Sequence, residues 1–505
     1  PIPRRQRQMC IRDSCYTMLL KYLINMDRKT KIIATVGPSL ASEQKIHSAI
    51  NLGVDVIRIN FSHGTIEDHK QFINWARSSD KQVAIMQDIQ GPKIRTGFVK
   101  ENTILQKSEE INLTNKESES SNESIFINYK NLFKDVDLND RIFVDDGQII
   151  LKIIDKQKNN LRALILIGGE LRDNQGVAFP DSNLSVSAIT KQDIEHLKFG
   201  TEHDIDFVAV SFVRNGKDIK SVRDIVPKDV KIIAKIELKT ALENIDEILQ
   251  VSDGVMVARG DLGVQLPIEQ VPFVQKQILD AANKKGKISI TATEMLQSMK
   301  SSYRPTRAEV TDITNAILEG SDAVMLSAET SIGDHPNRVI EVMSGICEEV
   351  DSRNDTSSLL SKEDLKEDSF TTTLARAAVQ IADDIDARAI VAFTETGKTP
   401  LLISNFRPKA KIITFTTKVK TLNQLNLFWG VEQFQIDRKE HFSEMLKSAN
   451  DFLLEEKKYN KGDKVIVVAG TPPNMEAATN LIRVHNLGAV SYTHLRAHET
   501  PCHRV

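Results

Sequence analysis

The sequence predicts an α/β protein built on a (β/α)8 barrel, with an inserted small β-barrel lid domain and a C-terminal α/β domain. Eight short runs rich in β-branched residues recur along the chain, and amphipathic helical patterns separate most of them. Strands that are apolar on both faces are typical of a parallel sheet covered by helices. Eight such strand–helix units are the number that closes a TIM barrel.

The predicted barrel strands and helices follow one another in order. The strands are KIIATVG (31–37), DVIRINFS (55–62), VAIMQDI (83–89), FVAVSFV (207–213), KIIAKIE (231–237), GVMVARG (254–260), ISITATE (288–294) and AVMLSAE (323–329). The helical patterns are SEQKIHSAINLG, TIEDHKQFINWARSS, DIEHLKFGTEH, TALENIDEILQ, PFVQKQILDAANKKG, RAEVTDITNAILEG and a last one near 335–350. A doubly wound sheet is the alternative, but TVGPSLAS after the first strand lacks the G-x-G-x-x-G turn of such folds.

The segment between the third and fourth strands is too long for a simple crossover. Residues 94–186 contain short alternating runs such as RIFVDDGQIILKI, which predict an inserted β domain in the position of a lid. The catalytic barrel would then comprise residues 26–93 and 187–350.

The remaining segments divide into a C-terminal domain and two unmatched ends. The polar stretch 351–368 is a predicted linker, and RAIVAFT, KIITFTT and KVIVVAG, with the helical patterns LARAAVQIADDI and HFSEMLKSANDFLLEEKK, predict a regulatory α/β domain within 351–489. Residues 1–25 and 490–505 show no matching periodicity. We expect a non-native or disordered extension and a non-native tail there, with a native start at Met26 or Met18.

Composition excludes several classes of protein. The net charge of −3 indicates no nucleic-acid or membrane partner, and no apolar run is long enough to cross a bilayer. Four cysteines, of which only Cys347 lies in the body of the chain, exclude a disulfide framework and a cysteine-based zinc site. We therefore expect a cytoplasmic protein.

Polar residues close most of the predicted barrel strands, where a TIM barrel carries its active site. They are Arg58, Asn60, Asp88, Ser211, Lys235, Glu237, Arg259, Asp261, Thr293 and Glu329. Glu237 and Asp261, from neighbouring strands, are oxygen ligands of the kind that Mg²⁺ prefers. A salt-bridge network with Lys235 and Arg259 is an equally good interpretation from these residues alone.

Six motifs settle the interpretation, because together they resemble the pyruvate kinase family in order and spacing. They are RINFSHG, GPKIRTG, KIE, MVARGDLG, SYRPTRAEVTD and VMLSAETSIGDHP, and the resemblance runs from about Thr30 to about Leu487. It implies transfer of a phosphoryl group from phosphoenolpyruvate to ADP, giving pyruvate and ATP, with Mg²⁺ or Mn²⁺ as cofactor. The resemblance also implies a homotetramer, which is the usual assembly in this family.

The resemblance also implies roles for individual residues. Glu237 and Asp261 would hold Mg²⁺, and Lys235 would neutralise the transferring phosphoryl group. The substrate would be bound by Lys235, Thr293 and the backbone of Ala258, Arg259 and Gly260, with Thr293 and Ser327 in the proton relay. Phosphate and nucleotide contacts would come from Thr35, Pro38, Arg58, Asn60, His63, Arg95 and Asp146, and a cation pocket from Asn60, Ser62, Asp88, Ile89 and Lys93.

The chain departs from the family pattern at four positions. Gln175 replaces a lid lysine, Glu294 replaces Gln, and Ile89 replaces a common Thr. Lys93 stands where many members carry Glu and need K⁺. A lysine ammonium is a compact monovalent cation, so we expect no K⁺ requirement, as in a potassium-independent, Lys-type subgroup.

The loop FTETGKTPLLISNFRP of the last domain resembles the family's effector site. Thr394, Thr396, Lys398 and Thr399 would bind a phosphorylated allosteric effector, while a solvated turn is the alternative. A Walker P-loop is excluded because Ala392 stands where that motif needs Gly. Other functions left open are another Mg²⁺-dependent barrel enzyme acting on phosphoenolpyruvate or pyruvate enolate, and an inactive effector-binding homologue.

Overall fold

The computed structural model describes residues 28–353, 370–456, 458–470 and 479–489, and its first compact unit contains a closed barrel of eight parallel strands. Each strand pairs with its neighbours in chain order, and the first pairs with the last. The strands are β1 Lys31–Val36, β2 Val56–Asn60, β3 Ala84–Ile89, β4 Phe207–Val210, β5 Lys231–Ile236, β6 Gly254–Ala258, β7 Ile288–Ala292 and β8 Ala323–Leu326. The eight predicted strands are confirmed, and most end one to three residues earlier than predicted, so several of the polar residues lie in loops at the barrel end.

Helices cover the outside of the barrel. They are α1 Glu43–Asn51, α2 Ile66–Arg77, α3 Lys191–Glu202, α4 Gly216–Arg223, α5 Lys239–Glu243, α6 Ile245–Val251, α7 Arg259–Gln265, α8 Val271–Lys284, α9 Arg307–Leu318, α10 Ala328–Ser331 and α11 Pro336–Arg353. Short 3₁₀ helices occupy Pro38–Leu40, Ile268–Gln270 and Gln297–Lys300. The helix α4 was not predicted. Asn215 caps its start, because the Asn215 side chain accepts the N–H groups of Lys217 and Asp218 and so satisfies two free donors of the first turn.

Four aspartates repeat one contact at the N-terminal end of the barrel. Each precedes an even-numbered strand and accepts the N–H of a residue in the preceding strand at 2.7–2.8 Å. The four are Asp55, Asp206, Asp253 and Asp322. Arginines pair with the first three. These hydrogen bonds and ion pairs stabilise the N-terminal end of the barrel, which we call its floor. The active site of a TIM barrel lies at the opposite, C-terminal end.

The insertion after β3 is a curled β-sheet. Its six strands are, in sheet order, Val177–Ala178, Arg141–Val144, Ile149–Gln157, Asn160–Ile167, Glu110–Thr114 and Ser124–Phe126, and Ile104–Leu105 pairs separately with Gly169–Glu170. Bridges from Arg95 to Gly176 and from Thr96 to Ile127 join the two edges of the sheet. The predicted inserted β domain is therefore confirmed as a separate sheet, with a short helix at Leu132–Asp135.

The second compact unit contains a five-stranded sheet. In sheet order the strands are Val431–Gln435, Lys411–Thr416, Ala389–Phe393, Lys464–Ala469 and Leu481–Asn486, the last antiparallel. Its helices are Phe370–Asp384, Lys398–Asn405, Val419–Gln424 and Phe442–Glu455, with a 3₁₀ turn at Leu425–Leu427. The three predicted strands and both predicted helices are confirmed, and the strands Val431–Gln435 and Leu481–Asn486 are additional.

Several predictions lie outside the described residues. These are the extension 1–25 with both candidate start residues, most of the linker 351–368, and the tail 490–505. Among the described residues, none of the helices has the length and apolar character that crossing a membrane requires.

Candidate active site

The lysine predicted to meet the phosphoryl group is held by three oxygen-bearing side chains. The Nζ of Lys235 lies 2.8 Å from Glu237 Oε1 and 3.3 Å from Asp88 Oδ1, and it donates to Ser211 Oγ at 2.7 Å. Burial alone would lower the pKa of Lys235, but the charges of Asp88 and Glu237 outweigh it and raise that pKa above its ordinary value. Lys235 is therefore a fixed positive charge at the C-terminal end of the barrel.

Glu237 is a buried carboxylate that accepts two donors, but these donors do not fully compensate its negative charge. Its Oε1 faces Lys235, and its Oε2 accepts the backbone N–H of Phe212 at 2.7 Å. Burial, with the nearby charge of Asp261, raises the pKa of Glu237 despite these donors. Phe212 reaches it from a left-handed backbone conformation, φ +53°, which is unfavourable for a bulky residue.

Asp88 links the lysine to an arginine and a threonine. Its Oδ2 accepts Arg58 Nε at 2.8 Å, and Arg58 Nη1 donates to Thr35 Oγ1 at 2.9 Å. Thr35 Oγ1 donates in turn to the carbonyl of Leu326 at 2.8 Å. Burial would raise the pKa of Asp88, but Arg58 and Lys235 hold it below its usual range. The guanidinium of Arg58 is thus oriented by a chain of buried contacts.

The segment after β6 is fastened to the end of β7. Arg259 donates to the carbonyl of Thr293 at 2.6 Å and pairs with Asp312 at 2.5 Å, and its side chain is only 9% exposed. The N–H of Gly260 donates to Thr293 Oγ1 at 2.9 Å. These contacts bring Ala258, Arg259, Gly260 and Thr293 together as predicted. The Gly260 N–H is satisfied within the chain here, and Thr293 holds a left-handed backbone, φ +66°.

The two carboxylates of the predicted Mg²⁺ site, Glu237 and Asp261, follow neighbouring strands at this barrel end. Asp261 is exposed and faces the cleft, while the buried Glu237 feels its negative charge. Among the described residues, no cluster of three or more His, Cys, Asp or Glu side chains could hold a metal ion. A metal bound by Glu237 and Asp261 would therefore keep several positions for water or substrate oxygens, which is the habit of Mg²⁺.

Ser327 lies just after β8, and its hydroxyl is buried. Its N–H donates to Glu329 Oε2 at 2.7 Å, which fixes the backbone. Its Oγ finds no hydrogen-bond partner among the described residues. A buried hydroxyl without a partner is costly, so this atom is available to a bound molecule.

Two of the predicted nucleotide residues, His63 and Asp146, feel the charge of Lys93, which lines a cleft between the lid and the barrel. Burial lowers the pKa of His63 below its ordinary value of 6.5, and the charges of Lys93, Arg95 and Arg58 lower it further. From the lid, Asp146 has a pKa raised by burial and by the nearby charges of Asp261 and Asp145. Pro38 is exposed at the start of its 3₁₀ helix.

The cleft itself has a volume of about 370 Å³. Lid and barrel residues both line it, and they include Lys93, Asp146, Phe179, Glu237 and Asp261. The candidate Mg²⁺ ligands thus open onto a cavity that the lid covers.

The residues of the predicted cation pocket are largely occupied by internal donors. Asn60 Oδ1 accepts the N–H of Ser62 at 3.1 Å, and the carbonyl of Ile89 accepts Ser211 Oγ at 2.8 Å. The side chain of Ile89 is fully buried in the barrel core. Lys93 is exposed at the cleft, where its charge acts on His63 and Asp146.

The other two departures from the family pattern lie apart from these contacts. Gln175 is buried in the lid, where its Oε1 accepts the N–H of Arg172 at 2.9 Å and its N–H donates to Thr96 Oγ1. Glu294 is exposed, with a left-handed backbone, φ +54°.

The candidate effector loop in the second unit turns sharply before a helix. Thr394 Oγ1 accepts the N–H of Gly397 at 2.9 Å, and Gly397 adopts φ +79°, a conformation that suits glycine. Thr399 Oγ1 lies 2.6 Å from Thr479 Oγ1 in a buried pair. Thr396 and Lys398 are exposed. The four predicted residues therefore share one turn, two of them directed into contacts within the domain.

Sequence reasoning assigned no role to three residues that hold the site. Phe212 supplies an N–H to Glu237, Ser211 accepts from Lys235, and Asp312 pairs with Arg259. The left-handed backbone of Phe212 has no signal in the sequence, whereas Asp312 lies inside the motif SYRPTRAEVTD and Ser211 lies near the end of a predicted strand.

Comparison with known proteins agrees with this geometry. The family model for the pyruvate kinase barrel domain matches residues 27–340, and that for the pyruvate kinase alpha/beta domain matches residues 372–485. The pyruvate kinases of Staphylococcus aureus strains MRSA252 and USA300 are each 39% identical over 472 residues, covering 91% of this chain and 81% of theirs. The crystal structure of a pyruvate kinase from Cryptosporidium parvum aligns with a TM-score of 0.87 at 32% identity, covering 92% of this chain and 97% of its own. The chain belongs to the pyruvate kinase family.

Proposed function

We propose that this chain is an active pyruvate kinase, which transfers the phosphoryl group of phosphoenolpyruvate to ADP and gives pyruvate and ATP, the last step of glycolysis. The observation that carries the proposal is the Lys235 ammonium, held 2.8 Å from the Glu237 carboxylate at the barrel end. Transfer of a phosphoryl group needs fixed positive charge where negative charge moves, and little covalent help from the protein.

The divalent cation would be held by Glu237 and Asp261. When bound, Mg²⁺ or Mn²⁺ supplies positive charge to the substrate oxygens. Lys235 would complete this charge from the protein side, because its ammonium is already desolvated and oriented by Ser211 and Asp88. Arg58, held by Asp88, would contact the phosphoryl group.

The proton that converts the enolate into pyruvate would be delivered by the hydroxyls at the ends of β7 and β8. The unpartnered Ser327 Oγ supports this role, and Thr293 Oγ1 lies beside Gly260. The backbone of Ala258, Arg259 and Gly260 would hold the substrate carboxylate, for which Gly260 would have to exchange its bond to Thr293.

The nucleotide would lie on the lid side of the cleft. Arg95, Lys93 and Arg58 concentrate positive charge around His63, and Asp146 reaches toward it from the lid. Thr35, Pro38 and Asn60 would complete this side. Residues 94–186 would thus act as a lid over the reacting groups.

We also propose that the enzyme needs no K⁺, as in the Lys-type subgroup of the family. Asp88, Asn60 and the Ile89 carbonyl already accept internal donors, so the pocket offers few free ligands to an ion. The exposed ammonium of Lys93 can supply one positive charge at the cleft instead.

Regulation, assembly and location follow as further parts of the proposal. Residues 351–489 would form the regulatory domain, with a phosphorylated effector bound at Thr394, Thr396, Lys398 and Thr399.

Ile268 and Phe273 leave 73% and 78% of their surfaces exposed, which supports burial against another copy in a homotetramer. A low proportion of cysteine supports a cytoplasmic location.

The test is an assay of pyruvate formation from phosphoenolpyruvate, coupled to an indicator reaction, with and without ADP and Mg²⁺. We expect activity only when both are present. Pyruvate formed without ADP would instead indicate a different enzyme on the same barrel, and no pyruvate under any condition would indicate an inactive homologue.

A further inference from the structure

The segment that returns the chain from the lid to the barrel, Leu184–Val186, is held from both sides, and we call it the return connector. On the lid side, the Asp135 carboxylate accepts both the N–H and the Oγ of Ser185, each at 2.7 Å. Asn131 Nδ2 also donates to Ser185 Oγ at 2.8 Å. Leu184 and Val186 pack against the hydrophobic core of the lid, so the connector is part of the lid's packing.

On the barrel side, one arginine holds the same connector. Arg214 Nη1 donates to the carbonyls of Leu184 at 3.0 Å and Val186 at 2.6 Å, on either side of Ser185. Asp218 orients the guanidinium by accepting Nε at 3.1 Å and Nη2 at 3.0 Å. The planar fork of Arg makes two contacts to a carboxylate and two to carbonyls at once, four contacts in all, whereas a lysine ammonium has only three N–H donors on a single atom.

Arg214 stands on the loop after β4, and the same loop holds the reacting groups. Ser211 Oγ accepts from Lys235 at 2.7 Å, and the N–H of Phe212 donates to Glu237 at 2.7 Å. The left-handed backbone of Phe212, φ +53°, is unfavourable unless its surroundings enforce it. Arg214 lies two residues away, and its contacts with Leu184, Val186 and Asp218, which we call the clamp, are one such constraint.

We propose that Arg214 is a positioning residue that couples the orientation of the lid to the Lys235–Glu237 pair. When the lid shifts, the return connector pulls on Arg214, and the loop 211–214 carries that shift to the Phe212 N–H and to Ser211. The charged groups of Lys235 and Glu237 are then in their reactive positions only when the lid, which carries Asp146 over the nucleotide, is in its own correct position. This inference rests on the proposed function for its kinetic consequences.

The same helix offers a matched control. Arg223, at the end of α4, donates through Nη1 to the carbonyls of Pro227 at 3.1 Å and Val230 at 2.6 Å, and pairs with Asp253 at 2.8 Å. It therefore makes a similar set of contacts, but at the floor of the barrel. Its side chain is 28% exposed, against 23% for Arg214.

The experiment compares Arg214→Met, Arg214→Lys and Arg223→Met in the full-length protein. We expect Arg214→Met to lower kcat/KM for ADP by about tenfold or more, with a smaller change in KM for phosphoenolpyruvate, because a small misplacement of reacting groups is costly. Arg214→Lys should recover only part of the loss. Arg223→Met should lower thermal stability and leave the kinetic constants near those of the wild type.

Amide hydrogen exchange measured by mass spectrometry gives a readout that does not need activity. Arg214→Met should speed exchange in peptides covering 183–187 and in those covering 211–213, which report on the Ser185 and Phe212 N–H groups. Arg223→Met should change neither. Faster exchange at 183–187 with 211–213 unchanged would overturn the coupling, as would equal kinetic losses in Arg214→Met and Arg223→Met. A wild-type protein without phosphoryl transfer would refute the proposed function, while the exchange result would still decide the clamp.

Discussion

Lys235 and Glu237 are two residues apart on one strand end, and their side chains form an ion pair of 2.8 Å that is almost wholly buried. Alternation along a strand places both side chains on the same face, here the interior of the barrel. The charges of this pair do not balance the site, because the negative charges of Asp88 and Asp261 also act on it. A site with this excess of negative charge favours a bound cation, and that cation would in turn offset the charge of a phosphate-bearing substrate.

Replacing the lysine tests its role in transfer. We expect Lys235→Met to lower kcat by about 100-fold or more while KM for phosphoenolpyruvate changes only modestly, because the ammonium matters most as charge moves in the transition state. Steady-state kinetics with saturating Mg²⁺ measure this. Lys231→Met is the control, since Lys231 begins the same strand at the opposite end of the barrel and pairs with Asp253. Near-normal turnover in Lys235→Met would remove the lysine from the mechanism.

The same strand end shows what could be read from the sequence. The barrel strands could be predicted because their β-branched runs are apolar on both faces, and the polar residues that follow them had to meet at one end. The helix Gly216–Arg223 was missed because its buried apolar side chains are only Ile219 and Val222. The occupation of the Gly260 N–H by Thr293 and the left-handed backbone of Phe212 depend on tertiary contacts, which no local pattern encodes.

Nucleotide binding should be linked to the protonation of His63. Burial and three neighbouring cations lower the pKa of His63 below its ordinary value, which favours the neutral side chain in the free protein. Bound diphosphate adds negative charge and raises that pKa, so ADP binding should take up protons and tighten as the pH falls from 7 to 6. Calorimetry in buffers of different ionisation enthalpy measures the uptake. His63→Gln should abolish it, and an unchanged uptake in that variant would assign the effect to another group.

The monovalent cation requirement should depend on Lys93. We expect the wild-type enzyme to be fully active with Mg²⁺ in tetramethylammonium buffer, because an ammonium group already stands at the cleft. Lys93→Glu should make activity depend at least partly on K⁺. Lys100→Glu, the same charge change at an exposed position of the lid, should not. A wild-type protein that is catalytically inactive until K⁺ is added would show that Lys93 does not replace the ion.

The effector loop should affect regulation without affecting chemistry. We expect Lys398→Ala to abolish activation by phosphorylated metabolites and to leave the maximal rate nearly unchanged, since an exposed ammonium near a turn can bind an anion. Activity titrations with a panel of sugar phosphates measure this. Lys447→Ala, an exposed lysine on the helix Phe442–Glu455, is the control. An equal loss of basal activity in Lys398→Ala would indicate a folding defect instead.

Phosphorus NMR of the reaction tests the central claim most directly. The purified chain is mixed with phosphoenolpyruvate, ADP and Mg²⁺, and the signals of phosphoenolpyruvate, ATP and free phosphate are followed together, with Lys235→Met as the parallel sample. We predict that one ATP appears for each phosphoenolpyruvate consumed, that free phosphate does not accumulate, and that the variant is slower by about two orders of magnitude or more. Consumption of phosphoenolpyruvate without ATP, or without any need for ADP, would contradict it.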